Sequence, residues 1–570
     1  VLPPVTLGVQ LTYDDVTETG VLFSASFEFF AGRSDPAPNI RHRLGESVRR
    51  NRHIVARTTY VYDPETALDG AGNPINIIHV SSAGNSNGTF ESPYAVLSQA
   101  AVDAAATPDS IILVHAGSVL DGQSIIVPEQ TRLLGEGFTH TVTTQQLGDI
   151  TLPRATAGTL TPVIRNSPAA GPAITLADNV EVNGLKVEQA GSTAIFGQNL
   201  LTGTTVSNMT VDGAAVGLQL TGTAGAISID TLSVSNTTDS GIVLENGLDG
   251  SAVTLSGSVD VSNTGAHGVL MAGNSSNSSI TFNGPLTVTG TAGDGISIQN
   301  NADVAEVVFN GATTISQTGG NGVFISNPDT FVSPGTPSIL FNGALNISGT
   351  MLSGVATSGN DANVQIQTLS VSNWQRSAVF LDNSSGRFQI IDPLVLNNTA
   401  GSLDSVIEIR DSTERVVFGD VTIIDTSRTA GGSAVVQLFH NDTGLESITF
   451  NSLNVTSDHG IALYGEDAAP GDSKLVIGSG IISSVGSTAV YLDGVATAVE
   501  LQSVSASATA DGLVLHQAGQ GTAFHEYFRI VGDGATAGSG GVMTGVQRGI
   551  LVEGTENVSL SLMSVDSSVA

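Results

Sequence analysis

From about residue 171 onward, apolar residues alternate with Ser, Thr, Asn and Gly in short runs, and the runs recur. The stretch from Ser279 to Asn327 shows the unit written twice. Ile280-Thr281-Phe282-Asn283-Gly284 returns as Val307-Val308-Phe309-Asn310-Gly311. The run around Val288 returns around Ile315, and Gly295-Ile296-Ser297-Ile298 returns as Gly322-Val323-Phe324-Ile325. Each offset is 27 residues. Alternation with period two predicts strands. Three short strands per unit cannot bury their own apolar face, so the unit must stack on copies of itself.

Aligning the chain on the small residue that opens the best strand of each unit gives fourteen slots. They are Ala194, Gly217, Gly241, Gly268, Gly295, Gly322, Gly354, Ala378, Val406, Val435, Gly460, Ala489, Gly512 and Gly549. The mean spacing is about 27 residues, within the range that marks a solenoid. Residues one and three after each slot are aliphatic in nearly every unit, as in Leu218/Leu220, Ile296/Ile298 and Val490/Leu492, and are expected in the core. The prediction is an all-β solenoid of about fourteen or more coils over 171–570.

The residues ahead of this array have other patterns. Residues 81–170 read as a cap and first coils. Ser92-Pro93 predicts a helix start with Pro in the first turn. Tyr94, Val96, Leu97, Ala100, Ala101 and Ala104 form its apolar stripe, and Ile111–Val114 is a buried strand. Residues 32–80 read as a basic linker, with seven arginines between Arg33 and Arg57. Residues 1–31 alternate as two strands of a hairpin, with Val5, Leu7, Val9, Leu11 and Tyr13 on one face, and Val21, Phe23, Ala25, Phe27 and Phe29 on the other strand. Apolar-out, polar-in strands with terminal aromatics match the weak pattern of an outer-membrane barrel hairpin as well as that of a soluble one. Two strands cannot close a barrel, so the remaining strands would lie upstream or on other subunits.

Composition narrows the function classes. The chain of 570 residues has a formal net charge of −33 and 67 glycines. A strongly acidic surface lacks the basic face that phosphate binding requires, so no nucleic-acid partner is expected. Cysteine is absent, and lysine occurs only at Lys186 and Lys474. The core alone must therefore hold the fold. The absence of a leader and of an initiator Met leads to the expectation that Val1 lies inside a longer precursor.

A cap followed by three-strand coils resembles the right-handed parallel β-helix of pectate-lyase-like proteins and of many autotransporter passengers. The resemblance covers residues 80–570. It implies that Asn283, Asn310 and Asn342, in Phe-Asn-Gly, and Asn451, in Phe-Asn-Ser, form an asparagine ladder at one turn. A hairpin placed before a passenger is also similar to inverse-autotransporter proteins, whose familiar passengers are immunoglobulin-like rather than β-helical.

Candidate chemistry is sparse. β-Helix lyases pair acidic calcium ligands with a basic proton acceptor, and β-helix glycosidases cluster Asp residues. Neither set is written here in motif form. No catalytic residue, cofactor or metal-ligand motif is assigned, and calcium enters only as a general counter-ion. His459 falls in the variable position before a slot and is taken as a turn residue. Glu408, Arg410, Asp411, Glu414 and Arg415 are taken as an exposed ion-pair patch. One feature points to a partner. The residues two after each slot should face outward, yet Phe196, Val243, Leu270, Phe324, Phe380, Tyr491, Val514 and Leu551 are apolar or aromatic. An apolar stripe of this length is expected to meet a second copy or another surface molecule. The function expected is that of a non-enzymatic, adhesin-like or self-assembling extracellular protein of the bacterial surface, with outer-membrane contact through the hairpin. The alternatives are a polysaccharide-active β-helix enzyme, with a polysaccharide as partner, and a phage or surface-layer fibre.

Overall fold

The computed structural model describes the strand pair Val5–Thr12 and Gly20–Phe27 and most of residues 65–566. The exceptions are 155–159, 168–170, 276, 303–304, 329–338, 399–403, 414, 427–432, 442–446, 468–473, 508–510 and 520–525. The Arg-rich stretch of the expected linker and Glu414 of the charged patch lie outside the described residues. The chain forms two compact units, Val1–Glu65 and Thr66–Ala570. In the first, Val5–Thr12 and Gly20–Phe27 pair antiparallel, with Val5 opposite Phe27 and Thr12 opposite Gly20.

The second unit is a right-handed parallel β-helix. Each coil contributes one short strand to a sheet of 16 parallel strands, from Ile125–Ile126 to Ile550–Glu553, among the described residues. Thirteen of the fourteen predicted slots immediately precede one of these strands, the slot at Gly460 belongs to a fourteenth, and Ile125–Ile126 and Ile174–Leu176 add two coils before them. The rest of each coil enters a second, 29-stranded sheet. There some coils use one long bent strand, as at Ala226–Thr237, and the next splits it into Ala252–Leu255 and Val259–Thr264.

The alternation written in the sequence sets the core. Inward residues of successive coils stack on like residues, so Phe282, Phe309 and Phe341 form a column with centroids 4.8 and 4.4 Å apart and planes within 15° and 4°. All three are at most 1% exposed. Where the coil must bend, the backbone turns left-handed. One such corner holds Gly213, Asn236, Asn263, Gly290, Gln317, Gly349 and Asn373, all at positive φ. Glycine and asparagine tolerate that region best, which explains their recurrence in the pattern.

Three local expectations change. The cap helix runs Leu97–Ala105 rather than from Ser92-Pro93. Tyr94 instead bridges Val80, and the Gln123 side chain accepts the Leu97 N–H at 2.9 Å, doing the work of a local cap. Leu97, Ala100 and Ala104 are buried against the end of the core, as a capping element requires. Strand Ile77–Val80, inside the stretch expected as linker, already pairs in parallel with Ile111–Val114. Finally, the slot placed at Gly460 lies two residues further on. Val436 pairs with Leu463 and Gln437 with Tyr464, so Ala462 is the small residue and Tyr464 faces outward. The polar-turn register given to His459 moves with it; His459 is exposed in a bend.

Candidate functional site

The outward stripe is a real register column. Phe196, Gln219, Val243, Leu270, Ser297, Phe324, Ala356, Phe380, Glu408, Gln437, Tyr464, Tyr491, Val514 and Leu551 are successive cross-strand partners. Its members are not equally open. Val243, Phe380 and Val514 are 6%, 5% and 4% exposed, and Phe196, Leu270, Phe324, Tyr491 and Leu551 are half-buried.

From Phe380 onward the column changes chemistry. A second row, two residues along each strand, runs beside it: Asp382, Arg410, Phe439, Glu466, Asp493 and His516. Neighbouring coils lie about 4.8 Å apart, so the six coils from Phe380 to Val514 span about 24 Å. Arg376 and Arg410 both sit over the Phe380 ring, with guanidinium carbons 3.9 and 4.9 Å from its centroid. This is cation–π geometry, which holds both heads against the sheet. Arg410 Nε also donates to Asp382 Oδ1 at 2.7 Å, and its other arm lies 3.6 Å from Glu408 Oε1. Burial pushes the Glu408 carboxyl above its usual range, partly offset by Arg410 and Arg376. Of the patch expected to be exposed, Asp411 and Arg415 are exposed, whereas Glu408 and Arg410 are half-buried, with Arg410 lying on Phe380.

Further along, Tyr464 and Tyr491 stack with centroids 5.1 Å apart and planes 8° apart, and Phe439 meets Tyr464 edge-on at 5.4 Å. The Tyr464 hydroxyl donates to Glu466. His516 Nδ1 lies 2.6 Å from Asp493 Oδ1. Burial raises the phenol pKa of both tyrosines further above the neutral range, where a phenol is already protonated. Tyr464 was missed in the sequence because the two-residue slip put Ala462 in its place.

The predicted asparagine ladder forms at one turn for Asn283, Asn310 and Asn342 but not for Asn451, whose neighbours on the adjoining coils are Gly419 and Gly478. Asn310 Nδ2 donates to Asn283 Oδ1 and Asn342 Nδ2 to Asn310 Oδ1, each at 2.8 Å. Asn451 is exposed at the same turn several coils later. A second, buried ladder escaped sequence reasoning. Asn274 Nδ2 donates to Asn301 Oδ1 at 2.7 Å, and Asn327 Oδ1 accepts the Asn301 N–H at 2.9 Å. Its 27- and 26-residue spacings were visible, but lacked a flanking Phe and Gly to mark them.

No metal-ligand set was recognised in the sequence, yet one grouping of three such residues exists among the described residues: His79, His115 and Glu136, in the cap. They are 36 and 21 residues apart on different coils, so no short motif announces them. Also among the described residues, no helix is long and apolar enough to cross a membrane.

The fold and this face together define a parallel β-helix protein carrying a two-row aromatic and charged surface along its axis. No protein-family model and no curated protein sequence matches the chain. Solved structures with a similar fold include the catalytic unit of a thermostable GH87 alpha-1,3-glucanase from Streptomyces thermodiastaticus strain HF3-3. It is 18% identical, with a TM-score of 0.43, over 68% of this chain and 69% of that one. Another is pectate lyase Pel9A, 13% identical with a TM-score of 0.29, over 65% of this chain and 81% of that one. Likeness at this level assigns no activity here.

Proposed function

We propose that this protein is a non-enzymatic surface-contact protein that holds a neutral, extended polysaccharide along the face from Phe380 to His516. One observation carries the reading: two parallel rows in register, Phe380 to Tyr491 over five coils and Asp382 to His516 over six, built of hydrogen-bonding and aromatic side chains. A regular row of this kind matches a repeating ligand better than a compact one. The stacked tyrosines turn their ring edges outward, so their contribution is hydroxyl donors backed by rigid apolar rings. Glu408, Glu466, Asp382 and Asp493 are acceptors for sugar hydroxyls, and charge-assisted bonds of this type are the stronger ones. Carboxylates outnumber the two arginines on the face, so an anionic glycan would be repelled and a neutral one accepted.

The carboxylates also favour holding over cutting. Asp382 is paired with Arg410, Asp493 with His516, and Glu466 with the Tyr464 hydroxyl. Each of these carboxylates is engaged in fixing a neighbour, Glu466 and Asp493 being register partners on adjacent coils. The hairpin, the cysteine-free composition and the acidic surface support display at a bacterial surface, in the manner of an autotransporter-type passenger.

The test is affinity electrophoresis of the whole chain through gels containing neutral or uronic-acid polysaccharides, with product analysis of the same mixtures. Retardation by a neutral polymer, lost in Glu466→Gln/Asp493→Asn, is expected. Uniform mobility in every gel, or release of oligosaccharides, overturns the proposal. Self-association is a second reading for the earlier coils, favoured by half-exposed Phe196, Leu270 and Phe324 in one column. Light scattering of the wild type and Phe324→Asp decides it: a wild-type monomer, or an oligomer that survives the substitution, sinks it.

A further inference from the structure

The first three coils of the solenoid carry a second constellation, unrelated to the polysaccharide face. Strands Ile77–Val80, Ile111–Val114 and Arg132–Gly135 stack in parallel, aligning Val80 with Val114 and Val114 with Gly135. His115 and Glu136 follow those last two residues, so they occupy one position on adjoining coils. His79 pairs with Leu113, two residues before His115, and so shares its face of the sheet. The register alone therefore converges three side chains from three coils.

The side chains meet at their donor atoms. His79 Nδ1 and His115 Nε2 are 3.0 Å apart. One ring nitrogen of each histidine and a carboxylate oxygen of Glu136 all lie within 4.8 Å of one another. Two imidazole nitrogens bound to one tetrahedral ion at about 2.0–2.1 Å stand about 3.3 Å apart, so a few tenths of an ångström separate the observed pair from a chelating one. The carboxylate is oriented from behind: Glu136 Oε2 accepts the Ala116 backbone N–H at 3.1 Å. Such support is what fixes ligands in built metal sites.

The surroundings match a held ion. Glu136 and His115 are 1% and 8% exposed, and His79 is half-buried. Leu113 and Leu134, two residues before His115 and Glu136, belong to a small dry cluster with Ile111, Val142 and Leu152. The strand pair Thr141–Thr144 and Gly148–Thr151 brings Val142 into that cluster. Phe90 closes against the imidazoles, 5.4 Å from His79 edge-to-face and 6.4 Å from His115. Two imidazoles and a carboxylate, shielded from solvent, are the donor set that a borderline divalent ion takes.

We propose that His79, His115 and Glu136 bind a divalent transition-metal ion of the Zn2+ class, which clips together the first three coils. The end coil of a solenoid has a neighbour on one side only, so a cross-coil clip acts where stacking is weakest. Three protein ligands leave a fourth position for water.

The experiment is titration of the metal-stripped full chain with Co2+, read by its visible ligand-field absorption, followed by displacement with Zn2+ and thermal melting. Saturation at one equivalent with a tetrahedral-type spectrum, and a melting temperature that rises with free Zn2+, are expected. Glu136→Gln and His79→Ala should each weaken binding by about 100-fold or more, beyond the loss seen for supporting residues alone. A wild-type chain without one-to-one binding overturns the proposal whether or not the variants fold. So does undiminished binding in His79→Ala/His115→Ala, which would place the metal on the acidic surface and leave the two histidines as a plain hydrogen-bonded pair.

Discussion

Tyr464 and Tyr491 stand on adjacent coils with ring centroids 5.1 Å apart and planes 8° from parallel. The contact exists because the coils are in register; neither residue has the other near it in sequence. Stacked aromatic pairs contribute about 0.5–1.5 kcal/mol beyond their buried area. A double-mutant cycle of Tyr464→Leu and Tyr491→Leu, read by urea unfolding, should return a coupling energy in that range. Each single change should also weaken polysaccharide binding about tenfold, as expected for one lost hydrogen bond to a charged or hydroxyl partner. Additive stabilities would mean that the rings share a column without supporting each other.

Glu408 gives a pH signature. Burial raises its carboxyl pKa above the ordinary glutamate range, and the side chain is 12% exposed. A carboxyl raised on folding favours the folded state fully below its unfolded pKa, and this contribution is lost as pH rises through the folded value. At pH 7 the ionised group is therefore a burden. Glu408→Gln should be at least as stable as the wild type at pH 7, and the gap should close as pH falls to about 4. A variant clearly less stable at pH 7 would show that the ion pair with Arg410 outweighs desolvation.

The Phe282–Phe309–Phe341 column predicts a large core effect. Phe309 is 0% exposed and is stacked on both faces. Phe309→Ala should cost about 3–5 kcal/mol, because neighbours held in register by two sheets cannot collapse into the space. Trp374, also 0% exposed and the chain's one tryptophan, reports unfolding of nearby coils by fluorescence. A loss below about 1 kcal/mol would mean that the column relaxes along the axis.

The glycine slots have a steric cause that can be tested separately. A Cβ on Gly295 would lie 2.4 Å from Ile315 Cγ2 and 2.7 Å from the Gly322 carbonyl oxygen. Gly268 is confined in the same way by Val288 Cγ1 at 2.3 Å and Gly295 O at 2.5 Å. Gly295→Val should destabilise by at least about 1–3 kcal/mol, the range for overpacked cores. The same change at Gly122, which meets nothing within 4 Å but sits at φ +66°, should cost through backbone strain alone. Near-equal melting of wild type and Gly295→Val would remove close packing as the reason for the slot.

These slots explain why so much of the fold could be read directly. Core spacing repeats because like residues stack, so Gly268, Gly295 and Gly322 announce their coils. Reading failed where a coil offered two equivalent alternations. In Asp458-His459-Gly460-Ile461-Ala462-Leu463 the glycine was the better slot by type, yet pairing with Val436 selects Leu463. A two-residue shift preserves inward and outward parity, so parity alone could not expose the error or reveal Tyr464. The metal-type cluster was hidden for another reason. His79, His115 and Glu136 converge through irregular early coils, before a period is established. Openness was also illegible: alternation places Phe380 outward, yet it is 5% exposed, with Arg376 and Arg410 lying over its ring.

The buried ladder at Asn274, Asn301 and Asn327 offers the sharpest test of what joins one coil to the next. Asn301 Oδ1 accepts two bonds from the preceding coil, from the Asn274 N–H at 3.0 Å and from its Nδ2 at 2.7 Å. Asn301 Nδ2 donates to the Met271 carbonyl at 3.2 Å, and its own N–H is taken by Asn327 Oδ1. All three residues are 5–7% exposed. Asn301→Leu keeps the approximate volume but strands two donors of Asn274 in a dry site, at about 1–3 kcal/mol each. Asn301→Asp keeps the acceptor and instead sets a carboxylate against the Met271 carbonyl, so it should recover part of the loss when acid protonates it. Because the bonds run along the axis, damage should appear first in the preceding coil. Hydrogen exchange should accelerate at Asn274 and at Gly247, whose N–H is held by Asn274 Oδ1 at 2.9 Å. Exchange that rises equally across distant coils would show that the solenoid opens as one unit and that the ladder is not a local clasp.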